Sequence, residues 1–242
     1  MHGFASTTEI ALALAIVAIG AALQGSVGFG FALLSAPFLE WINPRLVPGP
    51  LVLAVTVLLV LTALRERQSI DLRGIGWVLA GRVPGTLIGA VALAGLSESA
   101  LTVTLGVLVL TAVGLSLLDV HLPRKPPFLV VAGVISGVMG TTAALGGPAV
   151  AILYQHERPE LVRSTLATFF LIGALMSLPA LAWVGRLGAE EGKLALLLLP
   201  GILLGFAVSA RTARLLHGGR TRAAVLLVAG LAGATGVVRG LL

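Results

Sequence analysis

The stretch from Leu23 to Leu39 reads LQGSVGFGFALLSAPFL. It is apolar enough for a bilayer, yet Gly25, Gly28 and Gly30 fall close together and Pro37 follows. Glycine and proline are the two poorest helix formers, so a segment built only to span would not carry them here. The stretch therefore reads as a break inside a membrane segment.

The rest of the chain supports a membrane setting. It has 242 residues, 57% hydrophobic and 11% charged, and a mean hydropathy of +1.07, outside the range of ordinary soluble domains. Apolar runs long enough for one crossing occupy roughly 46–64, 74–95, 99–118, 164–185, 193–210 and 222–241, since a helix needs about 20 residues to cross. Two further runs, about 8–41 and 127–155, are too long for a single crossing and are interrupted by glycines. The N-terminal segment has no Lys or Arg ahead of it and reads as retained rather than cleaved. The absence of cysteine excludes disulfides and thiol chemistry. The net charge of +6 is spread over short loops, as the positive-inside rule expects, and predicts no nucleic-acid partner.

A repeat runs through the chain. Pro44-Arg45-Leu46-Val47 recurs as Pro159-Glu160-Leu161-Val162, and Pro84-Gly85 recurs within a similar hexapeptide as Pro200-Gly201. Gly25 and Gly28 match Gly137 and Gly140 at an offset of 112. These matches predict two halves, 1–120 and 121–242, each with one broken segment followed by three spans. If both broken segments cross, the basic residues outside the membrane divide eight to seven and orient nothing. If both turn back, Arg65, Arg67, Arg73, Arg124, Lys125, Arg158, Arg163, Arg211, Arg214, Arg220 and Arg222 share one side, against Arg45, Arg186, Lys193 and Arg239. That bias selects hairpins. The expected fold is an all-α polytopic membrane protein of two inverted repeats, each a re-entrant helical hairpin plus three transmembrane helices. Both termini are then extracytoplasmic.

Irregular backbone at membrane depth is tolerated only inside protein or beside a watery cavity. The two breaks should therefore meet and line a pathway. In the second break Pro148 suits the first position of a half-helix. In the first, Ser35 is expected to cap a half-helix with Pro37 in its first turn. Two facing helix N-termini would favour an anion. The alternative use of the glycines is close helix packing. Candidate substrate contacts are Gln24, Gly25, Ser26, Gly28, Gly30 and Pro37 in the first break, and Ser136, Gly137, Gly140, Thr141, Thr142, Gly146, Gly147 and Pro148 in the second.

Arg82 is the one basic residue well inside an expected span. An intramembrane charge is a functional candidate, although Arg82 could instead snorkel to the interface. Its repeat mate is Leu198. No carboxylate or histidine falls within an expected span, so no built-in proton relay is expected. Tyr154 reads as an interfacial anchor, and Arg163 as a loop charge or a gate.

The motifs LQGSVGFGFALLSAPFL, GRVPGTLIGA, SGVMGTTAALGGPAVAILYQ, RSTLATFFLIGA and LPGILLGF together resemble the TauE/SafE family of sulfite and organosulfonate permeases over nearly the whole chain. The resemblance implies transport of small sulfur-containing or carboxylate anions across a bacterial inner membrane. Members commonly carry Gly-Gly-Gly in both halves, where this chain has Gly28-Phe29-Gly30 and Gly146-Gly147. The expected function is a secondary transporter or facilitator without cofactor or metal. Its partners are a small anion and the lipid bilayer, and homo-oligomerisation is open. A channel with hourglass re-entrant loops is the alternative. An intramembrane enzyme ranks far below, because no nucleophile and base pair is visible.

Overall fold

The computed structural model describes residues 6–66, 70–118, 120–212 and 219–241. Arg67 and Arg214 of the basic set lie outside the described residues, as do the side chains of Arg220 and Arg222. The described chain is helical throughout: α1 Thr7–Val27, α2 Phe31–Ile42, α3 Gly49–Arg65, α4 Leu72–Ala94, α5 Glu98–Leu117, α6 Pro126–Ala143, α7 Pro148–Tyr154, α8 Pro159–Trp183, α9 Ala189–Thr212 and α10 Gly219–Leu241. Seven of them are long and apolar enough to cross a membrane. The protein is a multi-pass membrane protein. Five of the six expected single spans, α4, α5, α8, α9 and α10, are among these seven, together with α1 and α6, whereas the sixth, α3, is a shorter apolar helix of 17 residues. The two interrupted runs fold as the pairs α1/α2 and α6/α7.

Local chemistry starts these helices where the sequence places polar residues or proline. Ser6 caps α1 by accepting from the Glu9 N–H at 3.2 Å, with the S-x-x-E spacing of a capping box. Asp71 caps α4 through the Gly74 N–H at 2.8 Å, and Ser97 caps α5 through Ala100 at 3.3 Å. Proline occupies the first turn of α6, α7 and α8, where its missing N–H costs nothing.

The direction of each helix follows from its neighbours. The turns before α3, before α5 and before α9 lie together, because Arg45 pairs with Glu191 at 3.0 Å and Arg186 donates to the Leu96 carbonyl at 3.2 Å. This is the Arg186 end. At the opposite, Arg65 end, Arg65 donates to Ser209 at 2.9 Å, Arg163 pairs with Glu66 at 3.2 Å, and Gln155 holds the Leu118 and Val120 carbonyls at 3.2 and 3.1 Å.

Helix α1 runs parallel to α9, since Gly201 packs on the Leu14 carbonyl, Gly205 on Ala18 and Gly25 on Ser209. It therefore starts at the Arg186 end, and α2 returns there. Helix α6 runs parallel to α4, with Gly81, Gly85 and Gly89 against Val130, Val134 and Val138. It starts at the Arg65 end, and α7 returns to that end. The two hairpins thus enter from opposite ends. Packing repeats with the same symmetry: α4 lies on α6 as α9 lies on α1, while α3 faces α8 and α5 faces α10.

Three expectations change. The first half-helix begins at Phe31 after Gly30, not near Ser35, so Pro37 sits inside α2 rather than in its first turn. Gly30 has a φ of 111°, and the Gln24 side chain supplies the cap by accepting the Phe31 N–H at 3.1 Å. Ser35 is buried, with its hydroxyl unpartnered. Second, the hairpins do not align at the offset of 112. The left-handed cap of α1 is Gly28 and that of α6 is Ala144, an offset of 116 by residue number that agrees with the Pro-Gly repeat. The two offsets differ by about one helical turn, which leaves the same residues on the same face. Third, Tyr154 is fully buried and donates to Asp71 at 3.0 Å. It anchors α7 to the cap of α4 rather than to the membrane interface.

Candidate functional site

Both hairpin tips open onto one cavity. Its lining includes Gln24, Phe29, Gly30 and Phe31 from the first tip, and Gly140, Gly146, Gly147 and Pro148 from the second. Val52, Val55 and Leu59 of α3, Arg82 of α4, and Phe170, Ala174 and Ser177 of α8 complete the wall. The cavity has about 60 Å³ open to the centre of a water-sized molecule. That is room for a few waters or one small polyatomic ion. The tips touch, because a Cβ on Gly147 would lie 3.7 Å from that of Phe29. Their contact sits off centre: seven residues of α7 put it about 10 Å from the Arg65 end at the helical rise.

Among the described residues Arg82 is the only ionisable side chain in this lining, and it is 3% exposed. It does not snorkel. Its Nη1 donates to the Ser136 hydroxyl at 2.8 Å and the Ser136 carbonyl at 3.3 Å, and its Nη2 reaches Ser177 only at 3.5 Å. The Nε has no acceptor. A guanidinium carries five N–H donors, so two go unused here. Among the described residues no carboxylate pairs with it. The Phe169 ring lies 5.2 Å from its carbon and offers the one further favourable contact.

Glycines make room for this side chain. A Cβ on Gly140 would stand 2.7 Å from Nη2, one on Gly146 2.9 Å from Nη1, and one on Gly173 would overlap Nε. The carbonyl of Gly146 in turn accepts from the Ser136 hydroxyl. The second hairpin tip, α4 and α8 are therefore joined through one arginine.

The sequence candidates divide by what they touch. Gln24, Gly30, Arg82, Gly140, Gly146, Gly147 and Pro148 line the cavity. Ser136 lies behind Arg82 and holds it. Thr141 contacts Ser177 at 3.1 Å, while Thr142 bonds back to Val138 at 2.8 Å. Gly25, Ser26, Gly28, Pro37 and Gly137 are not in the lining. Gly25 packs on Ser209, and Gly137 on the α4 backbone around Arg82 and Thr86, so close packing explains both. Ser26 donates to the Ala22 carbonyl at 2.7 Å and the Ser209 carbonyl at 3.1 Å. Gly28 has a φ of 98° and rests against Arg163.

The aromatic wall of Phe29, Phe31 and Phe170, and Ser177, were not singled out from sequence. Phenylalanine is ordinary in a membrane span and gives no signal there. Ser177 could have been found, because it follows Gly173 by one turn and extends the small face against which Arg82 packs.

Two opposed helical hairpins around a buried cation, packed within a bundle of long apolar helices, are an arrangement that membrane transporters commonly use. The chain belongs to the sulfite exporter TauE/SafE family, whose profile matches residues 12–235. No curated protein and no solved structure matches it. Family membership makes it a transporter of the sulfite-exporter type.

Proposed function

We propose that the protein carries a small oxyanion, sulfite, an organosulfonate or a related carboxylate, across the bacterial inner membrane by alternating access, with Arg82 as the principal substrate contact. The observation that carries this reading is a buried guanidinium with unused donors and, among the described residues, no carboxylate beside it. Burying a cation unpaired costs several kcal/mol, a cost offset when an anion enters. Gln24, Gly30, Gly140, Gly146, Gly147 and Pro148 shape the site. Ala32 and Leu33 in the first turn of α2 line the same cavity, and their N–H groups are first-turn donors without intrahelical acceptors. Helix α7, at seven residues, adds less than the two facing half-helices of the sequence reading.

The Arg65 end carries Arg65, Arg73, Arg124, Lys125, Arg158, Arg163 and Arg211, against Arg45, Arg186, Lys193 and Arg239 at the other. The positive-inside rule makes the Arg65 end cytoplasmic and both termini extracytoplasmic. Residues 1–120 and 121–242 are the two repeat units, and rocking of one against the other exposes the cavity alternately.

Flux of sulfite and of methanesulfonate into proteoliposomes tests the function. Saturable flux that falls at least about tenfold in Arg82→Gln, with membrane insertion unchanged, is expected. Flux that does not saturate means a channel, and flux unchanged in Arg82→Gln removes the arginine from the site.

A further inference from the structure

We propose that this site selects by charge, taking oxyanions that carry one negative charge, most readily those with an apolar substituent, and rejecting divalent oxyanions of the same size. The inference rests on the transport reading above and concerns what the cavity admits. Three observations carry it.

The first is the charge count. Among the described residues Arg82 is the only charged side chain lining the cavity. Carboxylates on neighbouring elements are committed elsewhere: Glu66 to Arg65 and Arg163 at the end of α3, Asp71 to Arg124 and Tyr154, and Glu40 to Thr102 at 2.6 Å. A monovalent anion brings the occupied site to neutrality. A divalent one leaves a net negative charge in a wall of hydrocarbon, where an uncompensated charge is strongly disfavoured.

The second is the placement of donors. Ser177 spends its own proton on the Gly173 carbonyl at 3.0 Å, and Ser136 spends its proton on Gly146. The donors left for a ligand are those of Arg82, the Gln24 amide and the first turn of α2. A dianion with four equivalent oxygens asks more of these donors than a sulfonate with three, and every buried oxygen left unpaired costs stability.

The third is the apolar part of the wall. Phe29, Val52, Val55, Leu59, Leu145 and Phe170 line it without a donor side chain among them. A sulfonate or carboxylate presents oxygens on one face and carbon on the other, and its carbon end loses nothing against these side chains. Sulfate and hydrogen phosphate have no such face.

The test is competition for the purified protein in nanodiscs, read by calorimetry, with methanesulfonate as the reference probe and sulfate as its divalent counterpart. Sulfite is a third arm, because lowering the pH converts the dianion to hydrogen sulfite without changing its size. Methanesulfonate is expected to bind at least about tenfold more tightly than sulfate, and sulfite to compete better as pH falls while methanesulfonate binding stays flat. Sulfate competing as well as methanesulfonate, or sulfite strengthening as pH rises, overturns the charge rule and leaves the transport reading standing. Binding of none of the three overturns both. All arms use the unaltered protein, so no outcome depends on whether a variant folds.

Discussion

Arg82 illustrates how much a single residue can organise. It lies near the middle of α4 and holds the second hairpin tip through Ser136, whose hydroxyl reaches Gly146. It packs on α8 through Gly173. Sequence made it a candidate because a charge inside an apolar run is expensive, but whether it faced a pathway or the interface was not legible. Gly173 was not visible at all as part of the site, since it is one glycine in a span that also carries ordinary packing residues. Its role follows from geometry, because a methyl group there would occupy the position of Nε. Gly173→Ala is expected to push the guanidinium off Ser136 and cut anion flux at least about tenfold, approaching the loss in Arg82→Gln. Flux equal to that of the unaltered protein, with normal thermal stability, would mean that the arginine repacks without consequence. Arg82→Lys keeps the charge but loses the planar fork that spans Ser136 and Ser177, and should bind methanesulfonate about tenfold more weakly.

At the scale of the element, the first hairpin owes its turn to backbone that only glycine adopts easily. Gly28 and Gly30 have φ of 98° and 111°, and Gly185, in the loop before α9, has 73°. A side chain in this region costs roughly 1–2 kcal/mol. Gly185 has open space around a Cβ, whereas Gly28 abuts Arg163. Gly28→Ala should therefore lower thermal stability more than Gly185→Ala, and equal losses would remove the Arg163 contact from the account. The same tip is held from the Arg65 end, since Arg65 donates to the Gly25 carbonyl and shares Glu66 with Arg163 at 3.2 Å on each side. The three side chains are 19–28% exposed, so each pair is still partly screened by solvent and modest by itself, but together they close the tip. Glu66→Gln is expected to speed modification of a cysteine at position 29 from the Arg65 end several-fold. An unchanged rate would show that packing alone holds the tip.

Across the whole molecule, two hairpins that enter from opposite ends produce a topology that can be read directly. The chain has no cysteine of its own, so single cysteines at Pro44, Gly95 and Arg73 report without background. Positions 44 and 95 should label from one side and position 73 from the other. Labelling of position 44 from the same side as position 73 would refute the hairpin arrangement. The glycine interfaces act at this scale too. The repeated Pro-Gly motif puts Gly85 on the Val134 carbonyl of α6 and Gly201 on the Leu14 carbonyl of α1, so the recurrence visible in the sequence is the recurrence of one helix contact.

By itself the sequence determined the membrane class, five of the six simple spans and the two interrupted segments, and it led to the expectation that those segments insert from opposite sides. These follow from hydrophobic run length, from glycine and proline as helix breakers, and from the distribution of Lys and Arg, all of which act locally or through the bilayer. It also marked Arg82 and the second tip from Gly146 to Pro148. Only the tertiary structure decided which glycines turn the chain, which pack helices and which cradle the arginine. One residue type serves all three uses, and the distinction lies in what occupies the space beside each Cα. The register of the repeat was hidden for a related reason: a shift of one helical turn preserves the face and so preserves the match, until the left-handed caps at Gly28 and Ala144 are seen. The aromatic wall, and the absence of a carboxylate near Arg82 among the described residues, arise from residues distant in sequence meeting in space, which no local pattern records.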